Sequence, residues 1–403
     1  MKRLAVAALL ALLAWTLAGQ GLAQAPSPVR TTPPLPYRIV GTGQLQCYDD
    51  QEEIDPPRPG QPFYGQDAQH PGVKPSYKDN GDGTISDLNT GLMWVKARGK
   101  KMAWEEAVAG AAACDAGKHH DWRMPSIKEL YSLINFTGGY HFRIADSKPY
   151  LDTQYFEFVY GDEANGERAI DCQDWSATEY IGKTMGGNAT VFGVNFADGR
   201  IKGYPKQSPR GNHPHLLYAR YVRDNPAYGK NDFHDNADGT ITDRATGLMW
   251  ARADSGKGLN WEQALAYAVG LKLAGHADWR VPSAKELQSI ADYTRIPACD
   301  PIFRLSQLKD GQYPCYWSST THLDGPPDRQ GVAAVYVAFG RALGWMRFPP
   351  GADEFRLMDV HGAGAQRSDP KSGDPADFPH GRGPQGDVIR IYNHVRCIRD
   401  AAK

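Results

Sequence analysis

The chain has 403 residues, of which 41% are apolar and 23% are charged, and its formal net charge is −1. This composition is typical of a globular protein, and the length suggests two or three domains. Basic and acidic residues are mixed along the chain without a basic stripe, which argues against nucleic acid as a partner. The 43 Gly and 29 Pro, with few long apolar runs, favour short strands and many loops.

The N-terminus has the pattern of an export signal. Two basic residues precede an apolar run at residues 4–18, and small residues follow. The run is shorter than the ~20 residues that a membrane span needs, so a cleaved signal peptide over residues 1–25 is favoured over an anchor. Cleavage after Ala23 and cleavage after Ala25 both stay open. We therefore expect an exported protein, periplasmic or extracellular, without a membrane span after cleavage.

The rest of the chain contains one unit twice. "DNGDGTISDLNTGLMW" recurs as "DNADGTITDRATGLMW", "WEEA" as "WEQA", "DWRMPSIKEL" as "DWRVPSAKEL", and "WSAT" as "WSST", in the same order. Arg280 follows Arg123 by 157 residues, and both copies close on Arg-x-x-Arg-Asp. A period of this size is a domain length rather than a solenoid repeat, so the pattern indicates tandem duplication of a domain.

These repeats divide the chain into segments. A Pro-rich linker over residues 26–38 and a turn-rich preamble over residues 39–75 follow the signal. The first copy spans residues 76–225 and the second copy spans residues 233–403.

Each copy has the pattern of an α+β domain. The opening block predicts a hairpin, and the block beginning Trp-Glu-x-Ala predicts a helix. A second helix is predicted after Ser126, with Glu129 three residues on, and the second copy repeats this capping box at Ser283 and Glu286. "VFGVNFADGRIKGY" and "VYVAFGRALGW" predict paired strands joined at Asp198-Gly199 and at Gly340. We expect two helices and a twisted antiparallel sheet with long loops in each copy.

The string Asp-Asn-Gly-Asp-Gly-Thr resembles part of an EF-hand calcium loop. With Gly83 at the sixth position, Lys78 and Asn89 fall where the first and last ligands belong. The second copy has His234 and Ala245 there. The end ligands therefore fail in both copies, and a tight turn is the favoured interpretation.

The remaining repeated residues favour a scaffold. The block Asp-Trp-Arg-x-Pro-Ser-x-Lys-Glu-Leu predicts a partly buried Arg–Glu or Arg–Asp ion pair beside a packed Trp. Residues assigned such structural roles are Trp94, Trp250, Trp122, Trp279, Arg123, Arg280, Glu129, Glu286, Trp175 and Trp317. No Gly-x-Ser-x-Gly elbow, phosphate-binding Gly loop or ligand-spaced His pair is present, so no catalytic residues, metal or cofactor are expected.

The run "DGTISDLNTGLMW … WEEA … DWRMPSIKELYSLI … DWSAT … YVRD" closely resembles the Lcl C-terminal domain family, and two tandem copies cover nearly everything after residue 75. The resemblance implies a C-type-lectin-like fold. Sugar-binding lectins of that fold use Glu-Pro-Asn or Gln-Pro-Asp with Trp-Asn-Asp, and none of these motifs occurs here. Calcium-dependent monosaccharide binding is therefore not expected, whereas the family's collagen-like relative, an adhesin, implies binding of a polysaccharide.

The resemblance suggests an exported, non-enzymatic binding or adhesion protein that recognises a polysaccharide or a surface protein through variable loops. Aromatic and basic side chains suit such contacts, and the candidate ligand residues are Arg200, Lys202, Tyr204, Arg341, Trp345 and Arg347. Two alternatives stay open. One is a structural or envelope-assembly protein, and the other is an enzyme related to the formylglycine-generating sulfatase activators, which rely on reactive cysteines.

The lectin-like resemblance also bears on the six cysteines. Lectin-like domains often join the first helix to the last strand by a disulfide. Here the first copy has the helix cysteine, Cys114, but Tyr221 stands at the matching strand position. The second copy has the strand cysteine, Cys397, but Leu271 stands at the matching helix position. An oxidising compartment permits disulfides, and the even count suits full pairing. The predicted pairs are Cys299–Cys315, Cys114–Cys172 and Cys47–Cys397.

Overall fold

The chain enters its fold through an N-terminal segment, residues 35–75, which has little regular structure. The computed structural model describes residues 35–208, 211, 213–326, 329–349 and 351–402, and the chain from Leu35 onward forms one compact unit. Strands β1 (Cys47–Tyr48) and β2 (Glu53–Ile54) make a short antiparallel pair in this segment. The predicted signal peptide and most of the predicted linker lie outside the described residues.

Each copy builds a small four-stranded antiparallel sheet from its opening hairpin and its last strand. The first copy uses β3 (Tyr77–Asp79), β4 (Thr84–Asp87), β5 (Met93–Val95) and β10 (Val222–Arg223). The second copy uses β11 (Phe233–Asp235), β12 (Thr240–Asp243), β13 (Leu248–Ala251) and β19 (Ile398–Asp400). In both sheets the last strand pairs with the third, so each copy returns to its own beginning.

The small sheets are held by buried cross-strand pairs. Ile85 lies opposite Trp94, and Ile241 lies opposite Trp250. All four side chains are fully buried. A β-branched residue opposite an aromatic ring is a stabilising pair in an antiparallel sheet, which confirms the predicted hairpins and the buried roles of both tryptophans.

The loop between β3 and β4 is a turn, as the sequence predicts. Asp79 Oδ1 accepts a hydrogen bond from Gly81 N at 2.9 Å, and its second oxygen pairs with Lys96 Nζ at 2.6 Å. Gly81 and Gly83 both have positive φ values, of 77° and 87°, which glycine adopts without strain. The acidic side chains of this loop are thus engaged in shaping the turn.

Two short helices follow in each copy, again as predicted. They are α1 (Trp104–Ala113) and α2 (Ile127–Ser132) in the first copy, and α3 (Trp261–Gly270) and α4 (Ala284–Ser289) in the second. Ser126 and Glu129 form the expected capping box on α2, and Ser283 and Glu286 form the same box on α4.

The later half of each copy contributes to one sheet that both copies share. Its seven strands are β6 (Asp174–Glu179), β7 (Thr190–Asn195), β8 (Arg200–Pro205), β9 (Tyr218–Ala219), β14 (Cys315–His322), β15 (Ala333–Ala338) and β18 (Gln366–Pro370). Their order is β14-β15-β18-β8-β7-β6-β9, and Gln366 of β18 pairs with Ile201 of β8. The two copies are therefore joined edge to edge by backbone pairing.

One predicted strand pairing is wrong. The sequence predicted that the strand after Gly340 pairs with the strand before it. Instead β16 (Leu343–Arg347) pairs with β17 (Phe355–Asp359) in a separate hairpin, and β18 takes the place beside β15. In the first copy β8 follows β7 directly, so the hairpin of residues 343–359 is an insertion in the second copy, called here the inserted hairpin.

The hydrophobic core runs through both copies. Its largest cluster contains Ile127 and Leu130 of α2 together with Ala284 and Leu287 of α4, all at most 1% exposed. The mixed α and β class with antiparallel sheets is thus confirmed, although the copies share a sheet and a core. Among the described residues, no helix has the length and apolarity that a bilayer crossing requires.

The predicted disulfides are absent. All six cysteines lie among the described residues, and all are free thiols. Cys299 packs in the shared core whereas Cys315 and Cys397 pack in a separate cluster of the second copy. Cys172 Sγ faces Ala169 O at 3.6 Å rather than Cys114, so the thiols that were expected to pair point into different surroundings.

Candidate functional site

Three of the predicted ligand residues lie at the junction between the copies. Arg200, Lys202 and Tyr204 belong to β8, the strand that meets β18. Their side chains are only 18%, 13% and 7% exposed. We call this junction the seam. It comprises the paired ends of β8 and β18 and the side chains of Asp198, Arg200, Lys202, His322 and Asp324.

An ion pair and hydrogen bonds cross the seam from one copy to the other. Arg200 Nη1 donates to Asp324 Oδ2 at 2.5 Å, and Tyr150 Oη donates to Asp324 Oδ1 at 2.8 Å. Lys202 Nζ donates to Asp198 Oδ2 at 2.9 Å, and His322 Nε2 lies 3.0 Å from Asp198 O. Removing one partner of such a buried set leaves an uncompensated charge, so these contacts fix how the copies meet.

Burial shifts the ionisation of the seam residues. Loss of solvent lowers the pKa of Lys202 to about 8 and that of His322 to about 4. For Asp198 burial opposes ionisation, but the neighbouring Lys202 and Arg200 outweigh it and hold its pKa below the ordinary range. His322 is therefore neutral, and Asp198 is ionised, at neutral pH.

The seam does not offer a surface to a large ligand. A polysaccharide cannot reach side chains that are this deeply buried. We therefore assign Arg200 to holding the copies together, Lys202 to pairing with Asp198, and Tyr204 to packing against Trp175 in the first copy, rather than to ligand contact.

The other three predicted residues lie on or beside the inserted hairpin. Trp345 is opposite Leu357 and Arg347 is opposite Phe355, so these four side chains share one face. Leu357 is 42% exposed and Phe355 is 36% exposed, so this face brings two large apolar side chains together in contact with solvent. Arg341 is also exposed and lies just before the hairpin.

A neighbouring loop adds to this face. The imidazole of His380 stacks on Phe355 with ring centroids 4.0 Å apart and meets Trp345 edge-on at 6.3 Å. The Arg347 guanidinium lies 5.1 Å from the centre of the Phe355 ring. In the same loop, Arg382 lies 4.2 Å from the centre of the Phe378 ring. Residues Trp345, Arg347, Phe355, Leu357, His380 and Arg382 are called the aromatic–basic face.

The inserted hairpin is held in place from two sides. Tyr180 Oη of the first copy donates to Asp359 Oδ2 at 2.6 Å, and Met185 N donates to Asp359 O at 2.8 Å. On the other side Trp345 N donates to Gly386 O at 2.8 Å. These contacts present the aromatic–basic face on a fixed backbone, which limits the entropy lost when a ligand binds.

Sequence reasoning missed part of this face. Phe355, Leu357, His380 and Arg382 were not singled out, although Phe355-Arg356-Leu357 alternates apolar and polar residues as a strand does. This alternation could have indicated the second strand of the hairpin. His380 and Arg382 carry no comparable signal, because only the folded chain brings their loop to the hairpin.

The repeated Arg–Glu pairs have the structural role that was predicted. Arg123 forms two hydrogen bonds to Glu129, at 2.8 and 2.6 Å, and Arg280 does the same to Glu286 at 2.7 and 2.6 Å. Each Glu also accepts from the backbone N of its capping Ser. Trp122, Trp279, Trp175 and Trp317 are at most 4% exposed, in agreement with core roles.

The thiols are poorly suited to nucleophilic chemistry. Burial raises the pKa of Cys172, Cys315 and Cys397 to about 12 and that of Cys299 to about 11. The reactive form of cysteine is the thiolate, which burial of this kind disfavours. Among the described residues, no group of three or more His, Cys, Asp and Glu side chains is arranged to hold a metal ion.

Comparison with known families agrees with the duplicated pattern. The family model described as Lcl C-terminal domain matches residues 83–220 and again residues 239–350. No curated protein and no solved structure matches the chain. The two matched segments cover more than half of the chain and lie one within each copy, so the protein belongs to the Lcl C-terminal domain family, with two tandem matches to that domain.

Proposed function

We propose that this protein is an exported, non-enzymatic binding protein that recognises a polysaccharide bearing carboxylate groups. The observation that carries the proposal is the aromatic–basic face, in which the partly exposed Trp345, the exposed Phe355 and the exposed Arg347 share one side of a fixed hairpin. Aromatic rings pack on the apolar faces of sugars, and arginine binds carboxylates through two parallel hydrogen bonds. Export rests on the N-terminal sequence pattern.

A C-type-lectin-like fold for each copy is part of this proposal. It is supported by the last strand pairing back to the opening strands and by the two helices near the start of each copy. In this arrangement the inserted hairpin is a long variable loop of the second copy, where lectin-like domains vary to bind ligands.

The test is binding of the mature chain to a panel of immobilised polysaccharides, both uronic-acid polymers and neutral glucans. We expect selective binding of the acidic polymers, weakened by added salt because salt screens the arginine charges. Trp345→Ala and Arg347→Ala should each weaken binding about tenfold, which is the effect of losing one strong contact. Arg244→Ala is the control, since Arg244 is also an exposed arginine, at 58%, but lies in the turn between β12 and β13 of the second copy.

Two results would contradict the proposal. One is equal binding of acidic polymers by the Trp345→Ala and wild-type chains, and the other is the absence of binding to every polymer at low salt. The chain would then be better described by the second candidate function, an envelope-assembly protein. That alternative is favoured by an exposed apolar face on the first copy, where Val108 is 43% and Ile181 is 58% exposed.

A further inference from the structure

The N-terminal segment covers a specific face of the second copy. Phe63 packs on Trp261 of α3 with ring centroids 6.2 Å apart. Asp67 accepts a hydrogen bond from Thr320 Oγ1 at 2.5 Å. The Gln44 side chain pairs with both backbone groups of Thr321, accepting from N at 2.9 Å and donating to O at 2.6 Å.

A buried lysine completes the covered face. Lys371 Nζ lies 3.9 Å from the centre of the Trp261 ring and donates to Asp49 O at 2.8 Å and to Thr321 Oγ1 at 2.9 Å. Under the segment Trp261 is fully buried, and Leu265, one turn along α3, is 1% exposed. The second copy therefore binds an extended segment through an aromatic, a hydroxyl and an ammonium group.

The first copy has the same groups in the same arrangement. Lys206 Nζ lies 3.7 Å from the centre of the Trp104 ring, as Lys371 lies over Trp261. Trp104 Nε1 donates to Ser176 O at 2.9 Å, and Trp261 Nε1 donates to Ser318 O at 2.8 Å. The local geometry of the face is thus common to both copies.

The matching hydroxyl is also in place on the first copy. Thr178 Oγ1 accepts from Ile127 N at 2.9 Å, just as Thr320 Oγ1 accepts from Ala284 N. In the second copy the Thr320 hydroxyl donates a hydrogen bond to the Asp67 carboxylate. In the second copy, Arg280 lies near the Asp67 carboxylate, and its side chain is 13% exposed. Its counterpart in the first copy, Arg123, is 37% exposed.

The apolar part of the first copy's face is open to solvent. Val108 of α1 is 43% exposed, whereas its counterpart Leu265 is 1% exposed. Ile181 is 58% exposed, whereas its counterpart Leu323 is 9% exposed. Trp104 is half-buried, and we call Trp104, Val108, Thr178, Ile181 and Lys206 the open face.

We propose that the open face is a docking surface for a segment of a partner protein that carries an aromatic ring and, four residues later, a carboxylate. The covered face of the second copy shows the chemistry of the occupant, because Phe63 and Asp67 have this spacing. The aromatic ring of the segment packs on Trp104 and Val108, and its carboxylate accepts a hydrogen bond from the Thr178 hydroxyl. Backbone carbonyl groups of the segment accept from Lys206.

The ion pairs that Lys206 now makes on the open face can be replaced by contacts with a ligand. Lys206 pairs with Glu179 at 2.9 Å and approaches Glu105 at 3.8 Å, and these carboxylates are 55% and 63% exposed. Because both carboxylates are exposed, these ion pairs contribute only ~0–1 kcal/mol, even though the Lys206 side chain is 17% exposed. A partner is favoured over a second copy of this chain as occupant, because the chain's own segment is already bound through Gln44, Phe63 and Asp67.

The probe is a fluorescent peptide with the sequence of residues 58–70, titrated into the mature chain and followed by anisotropy. We expect saturable binding of one peptide per chain. Phe63→Ala or Asp67→Asn in the peptide, and Val108→Glu in the protein, should each weaken it about tenfold or more. Leu88→Glu is the matched control, since Leu88 is an exposed apolar residue, at 62%, on the opening hairpin of the first copy. Circular dichroism and thermal unfolding of both variants establish that they fold.

Three outcomes would overturn the proposal. The peptide fails to bind at millimolar concentration, or it binds the Val108→Glu chain as well as the wild type, which would place it elsewhere. The third is dimerisation of the wild-type chain in sedimentation experiments that Val108→Glu abolishes, since the occupant is then a second copy. None of these results bears on polysaccharide binding, which depends on the inserted hairpin.

Discussion

Lys128 and Lys285 occupy the same position in the two copies, and each donates a hydrogen bond to the equivalent backbone carbonyl of the other copy. Lys128 Nζ donates to Ser289 O at 2.6 Å, and Lys285 Nζ donates to Ser132 O at 2.8 Å. This reciprocity is the pattern of an isologous dimer interface, here between two domains of one chain. Burial lowers the pKa of Lys128 to about 8 and that of Lys285 to about 7.

Lys285→Met should change how stability depends on pH. An unfolded lysine keeps its proton up to about pH 10, whereas Lys285 in the fold loses it near pH 7. The unfolded chain therefore binds more protons between these values, and the free energy of unfolding rises with pH there. Urea unfolding at pH 7 and pH 9.5 should show a smaller rise for the variant, by roughly 2 kcal/mol. The exposed Lys148→Met should follow the wild type, and equal slopes for all three chains would contradict this.

The thiols give a second test at the residue scale. Five of the six cysteines are buried and Cys114 is partly exposed. A thiol reagent should therefore modify Cys114 in the native protein and all six cysteines after denaturation. Peptide mapping under both conditions identifies the sites. Recovery of fewer than six thiols from denatured, unreduced protein would show disulfides and revive the pairings that were rejected.

At the scale of elements, the capped helices α2 and α4 are built alike in different surroundings. In both helices a Glu binds an Arg and the capping backbone N. The arginines differ in exposure, because the N-terminal segment covers the second copy. Arg280 is 13% exposed and Arg123 is 37% exposed. The same motif should therefore contribute differently to stability.

Glu286→Ala should destabilise the protein more than Glu129→Ala. Without Glu286, the mostly buried Arg280 loses both short hydrogen bonds and keeps only Asp400 at 3.7 Å, which costs about 3 kcal/mol. Arg123 can turn to solvent, so we expect a loss smaller by ~1 kcal/mol or more for Glu129→Ala. Chemical denaturation of the two variants gives the comparison directly. Equal losses would show that burial of the arginine does not decide the outcome.

At the scale of the whole molecule, three features join the copies. They are the β8–β18 pairing, the Arg200–Asp324 ion pair of the seam and the core formed by α2 and α4. The N-terminal segment adds a fourth, since Gln44 contacts Phe136 O of the first copy and Thr321 of the second. The largest hydrophobic cluster is therefore shared by the copies, although each copy also has a smaller cluster of its own.

The two copies should unfold together. Ile85→Val and Ile241→Val remove one methylene from equivalent, fully buried positions, each at a cost of about 1 kcal/mol. Each variant should shift a single common transition to lower temperature. Calorimetry should give equal calorimetric and van't Hoff enthalpies. Two resolved transitions, of which each variant moves one, would show that the copies are independent.

Local features of this protein follow from its sequence. The duplication, the opening hairpins, the capped helices and the Arg–Glu pairs were all predicted, because each depends on residues close together in the chain. Trp345 and Arg347 were also identified as candidates for a binding surface. The predicted disulfides were wrong, because an even number of cysteines says nothing about which thiols come together.

Tertiary structure alone decided which strands are neighbours and which residues are exposed. β18 rather than β16 lies beside β15, and this choice places Arg200 and Lys202 in a seam instead of on a loop surface. The same folding covers Trp261 with the N-terminal segment and leaves Trp104 partly open, although both begin the same helix of the repeat. Such outcomes depend on contacts between residues far apart in the chain, which a repeated local pattern does not specify.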